Sequence, residues 1–215
     1  KRQENSFERA PMLNHCITVT IIDCYLHHFL LLQSTSYLFV PSCETTNRIL
    51  HFYHIRSYKG VGKLKLKQIS THIYKLTVET TVGIPIIINT WYVVNGDNVY
   101  IIDTGMASYA DMQIRTAQLL GTPQAIFLTH GHLDHINGAK KISESLNIPI
   151  YAHEKELPYI NGTLPYPNKH DIDETGVAYK VQPLHHSLNI PFSYYLTPGH
   201  APGHVLYYHN KDEIL

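Results

Sequence analysis

The segment Thr129-His130-Gly131-His132-Leu133-Asp134-His135 sets three imidazoles and a carboxylate side by side. Imidazole nitrogen and carboxylate oxygen are the donors that zinc and similar divalent cations take. The apolar run Ala125-Ile126-Phe127-Leu128 directly precedes it and reads as a short buried strand. In the turn after such a strand, His130 and His132 can converge on one ion, while Asp134 and His135, at the start of the next helix, face a neighbouring ion. The plain alternative, a solvated histidine-rich loop, does not account for so regular a pattern of donors. A second segment, Thr197-Pro198-Gly199-His200-Ala201-Pro202-Gly203-His204, repeats Pro-Gly-His around a turn. Rigid turns of this kind suit a ligand that must arrive from far along the chain.

Both segments need a scaffold, and the hydrophobic pattern provides one. Residues 68–78 alternate apolar and polar side chains and predict a half-buried strand. Residues 84–94 predict a more buried strand, with Pro85 near its start, where a missing N–H costs least. Asn95-Gly96-Asp97-Asn98 is a hairpin turn, since Asn and Gly tolerate positive φ, and residues 99–102 return as a strand into Asp103-Thr104-Gly105. The pattern then changes to helix over 107–120, closed by Gly121, strand over 125–128, helix over 136–146 and strand over 148–152. Residues 158–192 hold five prolines and predict a long irregular connection before a last strand over 203–209. Strands followed by strand–helix repeats imply sheets with helices packed on them.

Composition narrows the function. A chain of 215 residues suits one domain, or one domain and a tail, and 44% apolar residues can bury a core. Seventeen basic side chains balance seventeen acidic ones, which leaves no cationic excess for nucleic acid. Three cysteines, Cys16, Cys24 and Cys43, do not form a disulfide framework and lack the short Cys-x2–4-Cys spacing of a zinc site; a reducing, cytoplasmic setting is expected. The apolar stretch 16–32 is broken by Asp23, His27 and His28 and falls short of a membrane span. A secretory leader fits poorly, for want of a small-residue cleavage site. Residues 1–64 therefore read as an atypical N-terminal extension, disordered or not native, and residues 65–215 as the functional domain.

The two histidine segments resemble those of the metallo-β-lactamase superfamily, most closely its glyoxalase II and lactonase-like hydrolases. The resemblance runs from about Lys65 to Leu215 and takes in Asp103-Thr104-Gly105. It implies an α/β four-layer architecture, an αββα sandwich with a dinuclear metal site between two sheets, incomplete at the C-terminus. It makes His130, His132 and His200 the ligands of one metal and Asp134 and His135 ligands of the second. Asp103 matches an acid that orients ligands rather than binding metal, and His204 is read as structural. The implied cofactor is zinc, two ions per intact protein, with iron or manganese as alternatives. The implied function is hydrolysis of an ester, thioester or lactone of a small molecule by a hydroxide that two metals activate, with Asp134 holding or accepting a proton.

One departure stands out. The family takes a bridging Asp from the strand after the His200 region and a last His beyond it, whereas this chain reaches Leu215 where that strand would begin. Asp212, in the apparent turn, is a poor substitute. The chain is expected to be truncated, to bind metal weakly and to turn over slowly. Two rival readings are a mononuclear iron, sulfur dioxygenase-like oxidoreductase and an inactive remnant. His153 reads as a packed histidine, His185-His186 as loop residues and Tyr194-Tyr195 as part of a strand. No Gly-rich phosphate loop or nucleophile elbow is present. Substrate-binding residues and oligomeric state are not legible.

Overall fold

The computed structural model describes His54–Ile55 and residues 63–214. The cysteines, the stretch 16–32 and most of the expected extension lie outside the described residues.

Five strands come first: β1 (His54–Ile55), β2 (Lys63–Gln68), β3 (Ile73–Val82), β4 (Ile84–Asn95) and β5 (Asn98–Ile102). Then follow α1 (Ala110–Leu120), β6 (Thr122–Phe127), α2 (Leu133–Ile136), α3 (Ala139–Leu146), β7 (Ile150–Ala152), α4 (Leu157–Ile160) and β8 (Val181–Pro183). A hairpin of β9 (Phe192–Leu196) and β10 (Val205–His209) completes the described elements. Strands β1 to β8 form one sheet in sequence order, antiparallel from β1 to β5 and parallel from β5 to β8; β9 and β10 pair separately.

The hairpin between β4 and β5 turns at Gly96, whose φ of 60° suits glycine, and it pairs Asn95 with Asn98 as expected. Of the strand expected over 68–78, residues 73–78 belong to β3, while Gln68 ends β2 and residues 69–72 form the hairpin turn between them. The amides of Ile69 and Ser70 both donate to the Ile73 carbonyl, so the chain reverses between β2 and β3. The helix expected over 136–146 is divided into α2 and α3 at Asn137-Gly138. There the Gly138 N–H donates to Gly105 O at 3.0 Å, and a Cβ on Gly138 would stand 2.6 Å from Thr104 O. The break presses the helical segment against the Asp103-Thr104-Gly105 turn. The 158–192 connection is irregular apart from the end of α4, β8 and the first residue of β9.

The central strands of the large sheet are covered on both faces, so they read as nearly continuous apolar runs. Tyr92, Val99, Ile101, Ile126 and Leu128 pack with Ala117 and Leu120 of α1 and Ile142 of α3. The residues of opposite parity, Val93, Tyr100, Ile102, Ala125 and Phe127, pack with Phe192 and Val205 of the hairpin. Helices, mixed sheet and second sheet thus lie in the order of the first three layers of an αββα sandwich. No helix among the described residues is long and apolar enough to cross a membrane.

Phe127 joins the two sheets. It stacks on Tyr151 at 5.2 Å and meets Phe192 edge-on at 5.1 Å. Phe127→Ala should cost about 3–5 kcal/mol, because a closed aromatic cluster cannot collapse onto the void. Urea unfolding measures this directly, and a cost below about 1 kcal/mol would mean that the cluster does not hold the sheets together.

Candidate metal centre

Strands β5 and β6 are parallel neighbours, so the turns after them emerge at one edge of the sheet. Ligands in sheets of this kind bind outside the carboxyl ends of the strands. The Asp103 N–H donates to Phe127 O at 2.9 Å, which sets the two turns side by side. After Leu128 and Thr129 the chain reaches His130, buried at 2% exposure, and His132 then caps α2 in an extended conformation. His200 comes from the loop between β9 and β10. The Val205 N–H donates to Thr129 O at 2.9 Å, so the second sheet begins where the first motif starts.

The three expected ligands of one metal come together. His130 Nε2 lies 3.1 Å from His132 Nδ1, which lies 3.1 Å from His200 Nε2. Zinc–nitrogen bonds of about 2.0–2.1 Å place neighbouring tetrahedral ligands roughly 3.3 Å apart. The spacing of these nitrogens fits that requirement, and so does their chemistry, since neutral imidazole is the ligand form. Burial first, and then the surrounding imidazoles of His135, His132, His200 and His204, pull His130 down to about 2. His132 is also lowered, mainly by burial and then by His200 and Lys169.

The second pair sits beside them. The His135 ring centroid is 4.1 Å from that of His130, and His135 Nε2 is 3.6 Å from Asp134 Oδ2. His135 Nδ1 meets Asp103 Oδ2 at 2.8 Å. Burial lowers His135, but the Asp103 hydrogen bond and charge, with Asp134, outweigh it and the net shift is upward. Asp103 itself is buried, has a positive φ of 59°, and accepts from the Thr129 N–H and hydroxyl at 2.8 Å each. It therefore ties the first turn to the second and fixes which His135 nitrogen faces outward. Asp134 and His200 are exposed, so the cluster opens to solvent on their side.

The other candidates lie apart from this cluster or at its edge. His204 Nδ1 is 2.9 Å from Thr197 Oγ1, and its ring stands 5.2 Å from that of His130. With Asp103, Thr129 and apolar residues of both sheets it lines a cavity of about 300 Å³. His153 accepts the Lys155 N–H, His185 Nδ1 is 2.6 Å from Ser187 Oγ, and His186 stacks on Tyr194 at 4.9 Å.

Asp212 belongs elsewhere. It accepts from Ser70 Oγ and the His72 N–H, meets His72 Nδ1 at 2.6 Å, and forms a separate group with His72 and His209. Burial alone would raise its carboxyl, yet the bonds from Ser70 and His72 hold it at about 2, below the ordinary 3.8. A depressed acid stabilises the fold above its unfolded value and loses that contribution as pH falls toward 2. Asp212→Asn should therefore lower the melting temperature at pH 7 and leave it nearly unchanged at pH 2. An equal loss at both pH values would contradict this clasp.

Two residues of this region escaped the sequence: Glu156, wholly buried, and Tyr166, whose ring lies edge-on to His132 at 4.5 Å. No motif marks either one.

Comparison with known proteins places this geometry. Residues 83–215 match the family model described as the metallo-beta-lactamase superfamily. The probable metallo-hydrolase YybB of Bacillus subtilis (strain 168) is 53% identical over 154 residues, which cover 71% of this chain and 70% of that protein. The hydroxyacylglutathione hydrolase of Wigglesworthia glossinidia brevipalpis is 32% identical over 119 residues, covering 55% of this chain and 41% of that protein. Among solved structures, a metallo-beta-lactamase from Erythrobacter litoralis aligns with a TM-score of 0.56 at 20% identity, over 74% of this chain and 70% of that one, a likeness of fold. The sandwich and the match across most of the described residues agree, and the chain belongs to the metallo-beta-lactamase superfamily.

Proposed function

We propose that the chain is a metal-dependent hydrolase with a two-cation centre that cleaves the ester, thioester or lactone bond of a small molecule. The observation that carries this reading is the mutual facing of His130 Nε2, His132 Nδ1 and His200 Nε2 at 3.1 Å, beside His135 and Asp134. His130, His132 and His200 would hold one cation, and zinc suits the donor set. Asp134 and His135 would contribute to a second, weaker site, since these two side chains are the ones among the described residues that face it. Bound there, such cations lower the pKa of water toward neutrality and polarise a carbonyl.

The chain's own residues do the rest. Asp103 holds His135 through Nδ1 and so keeps Nε2 available as a donor of electrons. Asp134, exposed at the mouth and 3.6 Å from His135 Nε2, is placed to take a proton from an attacking water and return it to the leaving oxygen or sulfur. The open side between His200 and Asp134 admits the substrate. An acyl substrate is also what the name of one relative, hydroxyacylglutathione hydrolase, declares for that protein.

The test is a panel assay of the zinc-loaded protein against p-nitrophenyl acetate, an S-acyl thiol and a γ-lactone, with a chelated control. Turnover of at least one substrate, lost on chelation and restored by zinc, is expected. Iron-dependent oxygen uptake on a persulfide, without hydrolysis of any of the three, would overturn the reading.

A further inference from the structure

Glu156 ends a single 3-10 turn, Glu154–Glu156, after β7, and its side chain is fully buried. A buried carboxylate is costly unless its oxygens are satisfied by hydrogen bonds. Here Oε2 accepts from the Gly131 N–H at 2.9 Å and from the Tyr166 hydroxyl at 2.6 Å. Oε1 accepts from the Gly203 N–H at 2.6 Å. Gly131 stands between His130 and His132, and Gly203 lies between His200 and His204. One carboxylate therefore grips both histidine loops by their backbones, although they are far apart in sequence.

The two glycines carry the imprint of this grip. Neither is among the residues of positive φ, so backbone conformation does not demand glycine at either place. Space does. A Cβ on Gly131 would lie 2.4 Å from Tyr166 Oη and 2.5 Å from Ile160 Cγ1. On Gly203 it would lie 2.7 Å from Glu156 N and 2.9 Å from Glu156 Cγ. The Gly in His-Gly-His and the second Gly of the Pro-Gly-His repeat are there because Glu156 and its partners come so close. Tyr166 extends the grip to a ligand ring, meeting His132 edge-on at 4.5 Å while it stacks on Tyr159 at 4.7 Å.

We propose that Glu156 is a positioning residue that sets the separation of the two histidine loops, and with it the affinity of the centre for its cation. The proposal rests on the metal reading given above. Charge-assisted hydrogen bonds are the strong ones, and both loops receive one here. In Glu156→Gln the shape is kept, but an NH2 must face either Gly203 N–H or the Gly131 and Tyr166 donors. One loop is then released. Tyr166→Phe removes one of the three bonds and leaves both glycine contacts in place.

The experiment measures zinc affinity of the metal-free protein by competition with a chromophoric chelator, amide exchange at Gly131 and Gly203 by NMR, and the thermal midpoint. Glu156→Gln is expected to weaken zinc binding by about 10–100-fold, the range for residues that orient ligands. It should speed exchange at one of the two glycine amides while amides of β5 and β6 stay protected. Tyr166→Phe should weaken zinc binding less, with its thermal midpoint held. Zinc affinity unchanged in both variants overturns the positioning role and leaves the metal reading standing. If Glu156→Gln does not fold, Tyr166→Phe decides: weaker zinc binding in the folded variant supports the role, and unchanged binding overturns it. No zinc bound by the unaltered chain overturns the metal reading instead. In that case slow exchange at both glycine amides, faster at one of them in Glu156→Gln, supports the grip, and fast exchange in the unaltered chain overturns it.

Discussion

His130→Ala is expected to abolish tight zinc binding and to lower hydrolysis on the order of 10³-fold, the upper range for removing one strong electrostatic contributor to a transition state. His130 is the only one of the three facing imidazoles that is fully buried, and its ring lies within 5.2 Å of those of His132, His135, His200 and His204. Neither His132 nor His200 can fill its place, since each already faces the same point from another side. The variant also leaves Thr129 Oγ1 without its contact at 3.0 Å, but Asp103 still binds that hydroxyl, so the fold should survive. His185→Ala is the control. His185 is exposed and its Nδ1 pairs with Ser187 Oγ within its own loop, so its loss should leave zinc affinity unchanged. The measurement is zinc affinity with kcat/KM on whichever substrate the panel identifies. A His130→Ala protein that binds zinc as tightly as the unaltered chain would contradict the assignment of ligands.

The second large effect comes from a residue that is not itself placed as a ligand. Asp103→Asn alters no shape, yet it changes the proton on His135. In the native arrangement Asp103 Oδ1 accepts from the Thr129 N–H, while Oδ2 takes the Thr129 hydroxyl and His135 Nδ1. The backbone N–H can only donate, so an asparagine must turn its oxygen toward it. Its NH2 then faces Thr129 Oγ1, which can accept, and His135 Nδ1, which must now accept as well. The His135 proton moves to Nε2, the atom beside Asp134, and the lone pair there is lost. The weaker second cation should be released while the first stays bound, and hydrolysis should fall about 10–100-fold. Nitrogen NMR of the His135 ring reads the tautomer, and zinc titration reads the stoichiometry. An unchanged tautomer with both cations retained would sink the argument.

Much of this was legible in the sequence because the chemistry is local. Thr129 to His135 carries four of the five residues read as metal ligands in one stretch, and the apolar run before it marks the strand that presents them. Asp103 was legible through the resemblance alone, which matched Asp103-Thr104-Gly105, after the strand over 99–102, to an acid that orients ligands. Glu156 was not. It follows Glu154 and Lys155, and nothing in the order of three charged residues tells which one turns inward. Only the packing does so, by bringing two backbone amides and a tyrosine hydroxyl to one side chain. The same holds for the hairpin at 69–72. An alternating pattern continues across a tight reversal, and the partners of the two strands, not their periodicity, mark the turn. Asp212 looked like a weak stand-in for a bridging acid, and its bonds to Ser70 and His72 place it in a different group.

The claim on which all of this depends is that His130, His132 and His200 hold a divalent cation. Stepwise zinc titration of the metal-free protein, with elemental analysis after dialysis, tests it most directly. One tight equivalent that disappears in His200→Ala is expected, with a second, weaker equivalent that Asp103→Asn removes alone. A chain that takes up no zinc, manganese or iron, or one whose tight equivalent survives the loss of His200, would contradict it.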